Sequence, residues 1–372
     1  MKIRLLVDSI SLLSSLTGIG RYTYEISKNI KAMNKYDLEF FYGYYSNKLI
    51  EPSSGMEIKN LKSIIVKNNL IKKIVRKILF TSSKIFAPSY DLYWQPNFIP
   101  NDGIKAKKIV TSVHDFSFIL YKDFHPKERV EHINRYFYKN VLKSDMIITG
   151  SQYTKNEILE RLNFKENKVK VIYHGINHEL FKVYEDVTVD FDIPTKFILS
   201  VGSIEPRKNL LGLLKAYDII DVTLKEEYKL VLVGFKGWEN KEIMSIIENN
   251  KENIRYLGFV SDEDLAKVYN LASLFVFPSF YEGFGLPPLE AMACGTPVVS
   301  SDLTSMPEVC GAAAIYCNPH DIENIKNKME LVLTNVKLQN KLIAKGLKRA
   351  SEFTWEKSAQ EHMDVFEKVL KV

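Results

Sequence analysis

Short β-rich runs alternate with stretches of helical spacing along nearly all of the 372 residues. A chain with that rhythm has few options, because parallel strands need long crossovers and helices supply them. In the first half the runs Ile3–Val7, Glu39–Tyr44, Ser63–Val66, Lys108–Val113, Met146–Thr149 and Lys170–Tyr173 read as strands. Helical spacing falls at Arg21–Met33, Leu70–Phe80, Glu128–Leu142 and Tyr153–Leu162, the last behind Ser151 as N-cap. From Glu185 to Thr195 the periodicity stops, acids gather and Pro194 intervenes, which predicts a linker over 185–195. A second series follows, with strands at Phe197–Val201, Lys229–Val233, Arg255–Leu257, Leu274–Phe277 and Val298–Ser300. Its helices include Leu210–Ile219, Asp262–Leu271 behind Ser261, and Pro287–Ala293, and the pattern stays helical after Asp321. The expectation is two α/β domains, 1–184 and 196–352, with a cleft at the carboxyl ends of both sheets, where open α/β sheets bind ligands.

Composition narrows the class. With 46% hydrophobic and 26% charged residues the chain is that of a folded globular protein. It contains no apolar run near the roughly 18 to 20 residues that span a bilayer, and Met1-Lys2-Ile3-Arg4-Leu5-Leu6-Val7-Asp8 reads as a strand, so a cytoplasmic protein is expected. Cys294, Cys310 and Cys317 have neither CxxC spacing nor paired histidines, so they are read as packing residues and no metal site is expected. The net charge of +6 is uneven: residues 1–180 hold 29 Lys and Arg against 17 Asp and Glu, and residues 181–372 hold 22 against 28. The first half is the one that should meet an anionic surface.

The most informative segment is Glu282-Gly283-Phe284-Gly285-Leu286-Pro287-Pro288-Leu289-Glu290. Its glycines expose backbone N–H groups, and its prolines suit the first turn of a helix, where an anion is welcome. Carboxylates do not seek phosphate, so Glu282 and Glu290 are candidates for vicinal hydroxyls. Phosphate and diol together describe a sugar nucleotide. Gly202-Ser203-Ile204-Glu205-Pro206-Arg207-Lys208-Asn209 follows a strand and opens a helix, and its adjacent cations form either a diphosphate site or a solvated surface pair.

Three further features are weaker. Gly18-Ile19-Gly20-Arg21-Tyr22 is either a partial dinucleotide fingerprint without its third glycine or, more economically, a small-residue loop that lets a phosphate or sugar approach the first helix. His114 and Asp115 end a strand, where the histidine either meets a sugar hydroxyl or packs; His174 has the same setting and is read as structural. Residues 59–84 carry seven lysines and Arg76 with no acid, and Leu70–Phe80 within them is either a basic amphipathic helix for an anionic membrane or an ordinary surface helix. Nucleic acid is not expected, since no binding motif or aromatic platform accompanies the charge.

Taken together, these segments, with Leu257-Gly258-Phe259-Val260, Ala293-Cys294-Gly295-Thr296-Pro297-Val298-Val299 and Phe353-Thr354-Trp355-Glu356, resemble glycosyltransferase family 4, the retaining enzymes of GT-B fold. The resemblance runs nearly the whole length and is most specific in the second half. It implies two Rossmann-like domains facing across a cleft, with 353–372 as a helix returning to the first domain. It implies that Arg207 and Lys208, with Ser203 in the same loop, bind the donor diphosphate. Glu290 would then hold the ribose, Glu282 the transferred sugar, and the amides of Gly283, Phe284, Gly285 and Leu286 the phosphate and sugar. Phe259 and Val260 would lie near the base, Gly18 and Gly20 would line the cleft, and His114 would touch the sugar near the reacting carbon. No metal or other cofactor is implied. The mannosyltransferase-like branch makes GDP-mannose the first donor expected, with UDP-hexose or dTDP-rhamnose fitting the same residues. The acceptor would be a glycan or lipid-linked glycan of lipopolysaccharide, O-antigen or capsule synthesis, met at the inner membrane face. A sugar-nucleotide epimerase or a non-catalytic sensor of the same fold stays open at this level.

Overall fold

The computed structural model describes residues 2–13, 18–51, 88–125, 127–235 and 241–371. The expected strand Ser63–Val66 and the basic segment Leu70–Phe80 lie outside them.

The first sheet is built from β1 (Arg4–Asp8), β2 (Asp37–Phe41), β3 (Tyr45–Ser46), β4 (Ser89–Gln95), β5 (Lys105–Ser112), β6 (Met146–Thr149) and β7 (Val169–Val171). Their order is β3-β2-β1-β4-β5-β6-β7, parallel apart from the short β2–β3 pair. The second sheet contains β8 (Phe197–Val201), β9 (Lys229–Val233), β10 (Ile254–Gly258), β11 (Leu274–Phe277), β12 (Val298–Ser301) and β13 (Ala314–Cys317), ordered β10-β9-β8-β11-β12-β13. Both orders reverse direction once, between β1 and β4 and between β8 and β11. At such a point the crossover helices leave on opposite faces, and the loops at the carboxyl ends part to leave a crevice.

The second-sheet strands read so plainly because both faces are covered. Leu199, Val201, Phe275 and Phe277 point into one apolar cluster, while Ile198, Leu230, Leu274 and Val276 point into another. Helix starts are equally local: Ser151 accepts from Thr154 N ahead of the helix Gln152–Leu162, and Ser261 accepts from Asp264 N ahead of Asp262–Leu271. Three strands were not legible, the two-residue β3 among them. Ser89–Gln95 mixes Tyr and Trp with Asp and Gln and lacks alternation, although all but its first and third residues are buried, and Ala314–Cys317 follows a run of small residues without strand character. The first helix begins at Gly18, three residues before the expected start, so the glycine pair forms its first turn and does not precede it.

Among the described residues no helix is long and apolar enough to cross a membrane. The last helix, Trp355–Leu370, returns to the first domain. Its residues Trp355, Ala359, Met363 and Phe366 share a core with Tyr22, Ile26 and Ile30 of the helix Gly18–Ala32. The outgoing and returning chains touch where they cross: Ile176 N donates to Phe353 O at 3.2 Å, and an added Cβ at Gly175 would meet Trp355 N at 2.2 Å.

A hydrogen-bonded chain runs through this junction. Trp94 Nε1 donates to Ser112 Oγ at 3.1 Å, Ser112 Oγ lies 2.8 Å from Tyr22 Oη, and Tyr22 Oη lies 2.6 Å from His362 Nε2. His362 Nδ1 is 2.7 Å from Ser358 O, which can only accept, so Nδ1 carries the proton and Nε2 accepts from Tyr22. Burial favours this neutral ring and lowers His362 from 6.5 to about 4. The unfolded chain therefore binds the proton first as pH falls, and stability present above 6.5 is lost between 6.5 and about 4. We expect acid-side unfolding to cost about 3 kcal/mol at this position. Urea midpoints of wild type and His362→Gln across that window test it: the variant should lose part of the slope.

Candidate active site

The loops that follow β8 and β11 emerge side by side at the second sheet's reversal point, and their charged residues meet there. Arg207 Nη1 donates to Glu282 Oε2 at 2.9 Å and to Tyr281 O at 2.7 Å, while its Nη2 donates to Glu205 Oε1 at 2.8 Å. Lys208 Nζ donates to the other Glu282 oxygen at 2.6 Å. Burial alone would raise the Glu282 carboxyl, but Arg207 and Lys208 outweigh it and take it down to about 2. Burial likewise disfavours the Arg207 charge, and Glu282, Glu205 and Asp115 more than compensate. Both carboxyl oxygens of Glu282 thus face cations. Arg207 keeps one buried donor, Nε, without a hydrogen-bond partner. Ser203 and Lys208 line a small recess with Gly202, Tyr256 and Phe277.

Glu290 lies inside the helix Leu286–Ala293, which follows Gly285 in a left-handed conformation at φ 99°. Its Oε1 accepts from Arg21 Nη1 at 3.2 Å and its Oε2 from Tyr269 Oη at 3.2 Å. Burial pushes this carboxyl up, and Arg21 opposes it.

The seam between the domains passes through the same glycine segment. A Cβ at Gly283 would stand 1.9 Å from His114 O, so only glycine lets these two backbones approach. Gly283 O accepts from Ser151 Oγ at 2.7 Å. Tyr281 reaches the first domain too, accepting from Phe116 N at 2.8 Å and donating to Glu157 Oε2 at 2.5 Å. Glu308 accepts from Gln152 N at 2.7 Å and Tyr153 N at 3.2 Å, capping from across the seam the orphan N–H groups of a helix start. His114 Nε2 is 2.7 Å from Pro96 O, and burial holds its pKa below the ordinary 6.5. His174 packs against Tyr22 and Phe284 with ring centroids 4.8 and 4.6 Å away.

Arg207, Lys208 and Glu282 are therefore in contact, Glu290 is joined to them through the same glycine segment, and His114 meets that segment at Gly283. Phe284 is buried and Leu286 opens the helix. Phe259 and Val260 stand apart at the end of β10, two strands from β8. Phe259 is half exposed and stacks on Phe235 at 4.6 Å. Gly18 is exposed and a Cβ there would meet nothing, while Gly20 is buried in the helix. Three site residues had no assigned role in the sequence. Glu205 lies two positions before Arg207 and Tyr281 one before Glu282, and Arg21 lies within the Gly18-Ile19-Gly20-Arg21-Tyr22 motif, but its partners are 241 and 269 positions away.

Known proteins resemble this chain in sequence and fold. Residues 16–180 match the family Glycosyltransferase Family 4, and residues 188–349 match Glycosyl transferases group 1. The chain is 30% identical to O-antigen chain mannosyltransferase B of Escherichia coli over 94% of its own length and 96% of that protein's. The chain belongs to glycosyltransferase family 4. Its fold is GT-B: sucrose-phosphate synthase from Thermosynechococcus elongatus superposes with TM-score 0.74 at 19% identity over the whole of both chains. Anabaena HepE in complex with UDP-glucose superposes with TM-score 0.66 at 16% identity, covering 98% of this chain and 100% of that one. This family 4 chain is accordingly a glycosyltransferase.

The seam gives a direct prediction. Gly283→Ala must push the glycine segment off His114, and a displacement near 1 Å at reacting groups costs about a hundredfold in rate. Initial rates of glycosyl transfer should fall to that extent; an unchanged rate would mean the seam yields without disturbing the site.

Proposed function

We propose that the chain moves mannose from GDP-mannose onto a growing O-antigen or related surface glycan, with retention at the anomeric carbon and without a metal. The observation that carries the reading is the cation pair Arg207 and Lys208, held by Glu282 and Glu205 at the mouth of the second sheet. The remaining Lys208 protons are donors for a diphosphate, whose charge grows as the C1–O bond breaks. The acceptor oxygen bonds C1 from the same face, and its proton passes to the departing phosphate. Glu290 serves the ribose hydroxyls, and the amides from Gly283 to Leu286 serve phosphate and sugar. Mannose is favoured by the likeness to a named O-antigen mannosyltransferase along nearly the full length.

Release of nucleoside diphosphate from GDP-mannose, UDP-glucose and dTDP-rhamnose, with and without acceptor glycan, names the donor and separates transfer from epimerisation or bare binding. Arg207→Ala and Glu290→Ala should each lose about 2 to 4 kcal/mol of transition-state stabilisation, in EDTA as in its absence. Unaltered turnover in both variants, or activity that vanishes in EDTA and returns with Mn²⁺, would contradict the assignment.

For the acceptor we propose a lipid-linked glycan met at an anionic membrane through Leu70–Phe80, supported by the excess of Lys and Arg in residues 1–180. Replacing Lys72, Lys73, Arg76 and Lys77 by Gln should weaken sedimentation with anionic liposomes; equal sedimentation would remove that surface from the proposal.

A further inference from the structure

Arg21 belongs to the first turn and a half of the first domain's opening helix, yet it ends in the second domain. Its Nη2 donates to both Asp262 oxygens at 2.7 Å, and its Nη1 donates to Glu290 Oε1 at 3.2 Å. The guanidinium is 17% exposed and lies 5.8 Å from the Phe181 ring centroid. Both oxygens of Asp262, at the start of the helix Asp262–Leu271, accept from Nη2, and with Nη2 held there one N–H of Nη1 meets Glu290.

That contact leaves a defined remainder. A carboxylate offers about four lone-pair sites, two on each oxygen. Arg21 takes one on Oε1 and Tyr269 one on Oε2, so one stays open on each oxygen, the pattern that two neighbouring hydroxyls of a ribose match.

We infer that Arg21 is a positioning residue, which fixes the Glu290 carboxylate for the donor ribose and so makes tight donor binding conditional on the first domain being docked. This rests on the reading of Glu290 as the ribose ligand. The groups that face Glu290 are Arg21 from the first helix, Asp262 and Tyr269 from the helix Asp262–Leu271, and Cys294 beyond the end of its own helix. Of these, burial and Asp262 favour the protonated carboxyl, whereas Arg21 and the Tyr269 hydrogen bond favour the charge. Taking Arg21 away leaves only the Tyr269 hydrogen bond against burial and Asp262, so Glu290 takes up a proton at higher pH. A protonated carboxyl has lost an acceptor site, and the ribose loses a contact. The acidic limb of donor affinity must then move upward in pH.

The alternative is a strut that only joins the domains. The two differ in what a substitution moves. Calorimetric titration of the full chain with GDP-mannose from pH 5 to 9, alongside melting temperatures, compares wild type with Arg21→Gln, Arg21→Lys, Glu290→Gln and the double variant Arg21→Gln/Glu290→Gln. Positioning predicts that Arg21→Gln weakens the donor about tenfold at neutral pH and shifts the acidic limb upward, that Arg21→Lys recovers part of both, and that Arg21→Gln adds little once Glu290 is Gln. A lowered melting temperature with affinity and limb unchanged would establish the strut and overturn the inference. If Arg21→Gln does not fold, Arg21→Lys carries the same comparison. If Glu290→Gln binds GDP-mannose as tightly as wild type, the ribose reading itself has failed, whatever Arg21 does, and the inference goes with it.

Discussion

Two cations and two carboxylates, Arg207, Lys208, Glu205 and Glu282, sit together largely out of water, and the rest of the site is arranged around them. Such a cluster is a poor way to stabilise a fold. Each ion taken from water costs several kcal/mol, which its partners return only when the geometry is close to complete. Here it is close, with contacts of 2.6 to 2.9 Å, and it is placed where the sheet cannot cover itself. β8 and β11 are neighbours in space but their crossovers leave on opposite faces, so the loops carrying the four charges separate at the top. Burial there strengthens any interaction with an incoming anion, because the charges are held by the protein and not by a reorganising solvent.

The second constraint is the seam. It is held by directional contacts from the glycine segment and the residue before it, Gly283 O under Ser151 and Tyr281 between Phe116 and Glu157, and by Glu308 of a separate helix, Met306–Cys310, on a helix start of the other domain. Gly283 cannot move without moving His114 across the gap, since no side chain cushions the approach. Site geometry and domain docking are one variable in this fold. Where the chain crosses at Gly175 and Trp355, backbone packs directly on backbone.

The legible parts of the sequence were those whose cause is local. Phe197–Val201, Lys229–Val233 and Leu274–Phe277 match their expected bounds because strands buried on both faces are continuous apolar runs. Ser151 and Ser261 announced their helices because a cap acts within three residues. Arg207, Lys208 and Glu282 were legible as residue types beside glycines, but their mutual pairing was not, since it depends on which two strands adjoin. Arg21 shows the limit. Its motif was visible, but nothing near position 21 encodes a bond to position 262 or 290. Ser89–Gln95 failed for a different reason: its Tyr hydroxyls are satisfied by distant groups, Tyr90 by Glu39 and Tyr93 by Asp8, and its Gln by neighbours such as Ile99 O, so polarity misreported burial.

The histidines constrain the chemistry further. His114 Nε2 faces the Pro96 carbonyl, an acceptor with no proton to give, so Nε2 must carry the hydrogen and Nδ1 the lone pair. Burial keeps the ring neutral, which removes any second proton. His114 can then accept a hydrogen bond from a sugar hydroxyl, but it cannot act as an acid without breaking its bond to Pro96. Glu282 is a carboxylate pinned between cations and is no acid either. On the proposed reading, the proton that the departing diphosphate takes up therefore has one source left among these residues and reactants: the hydroxyl of the acceptor.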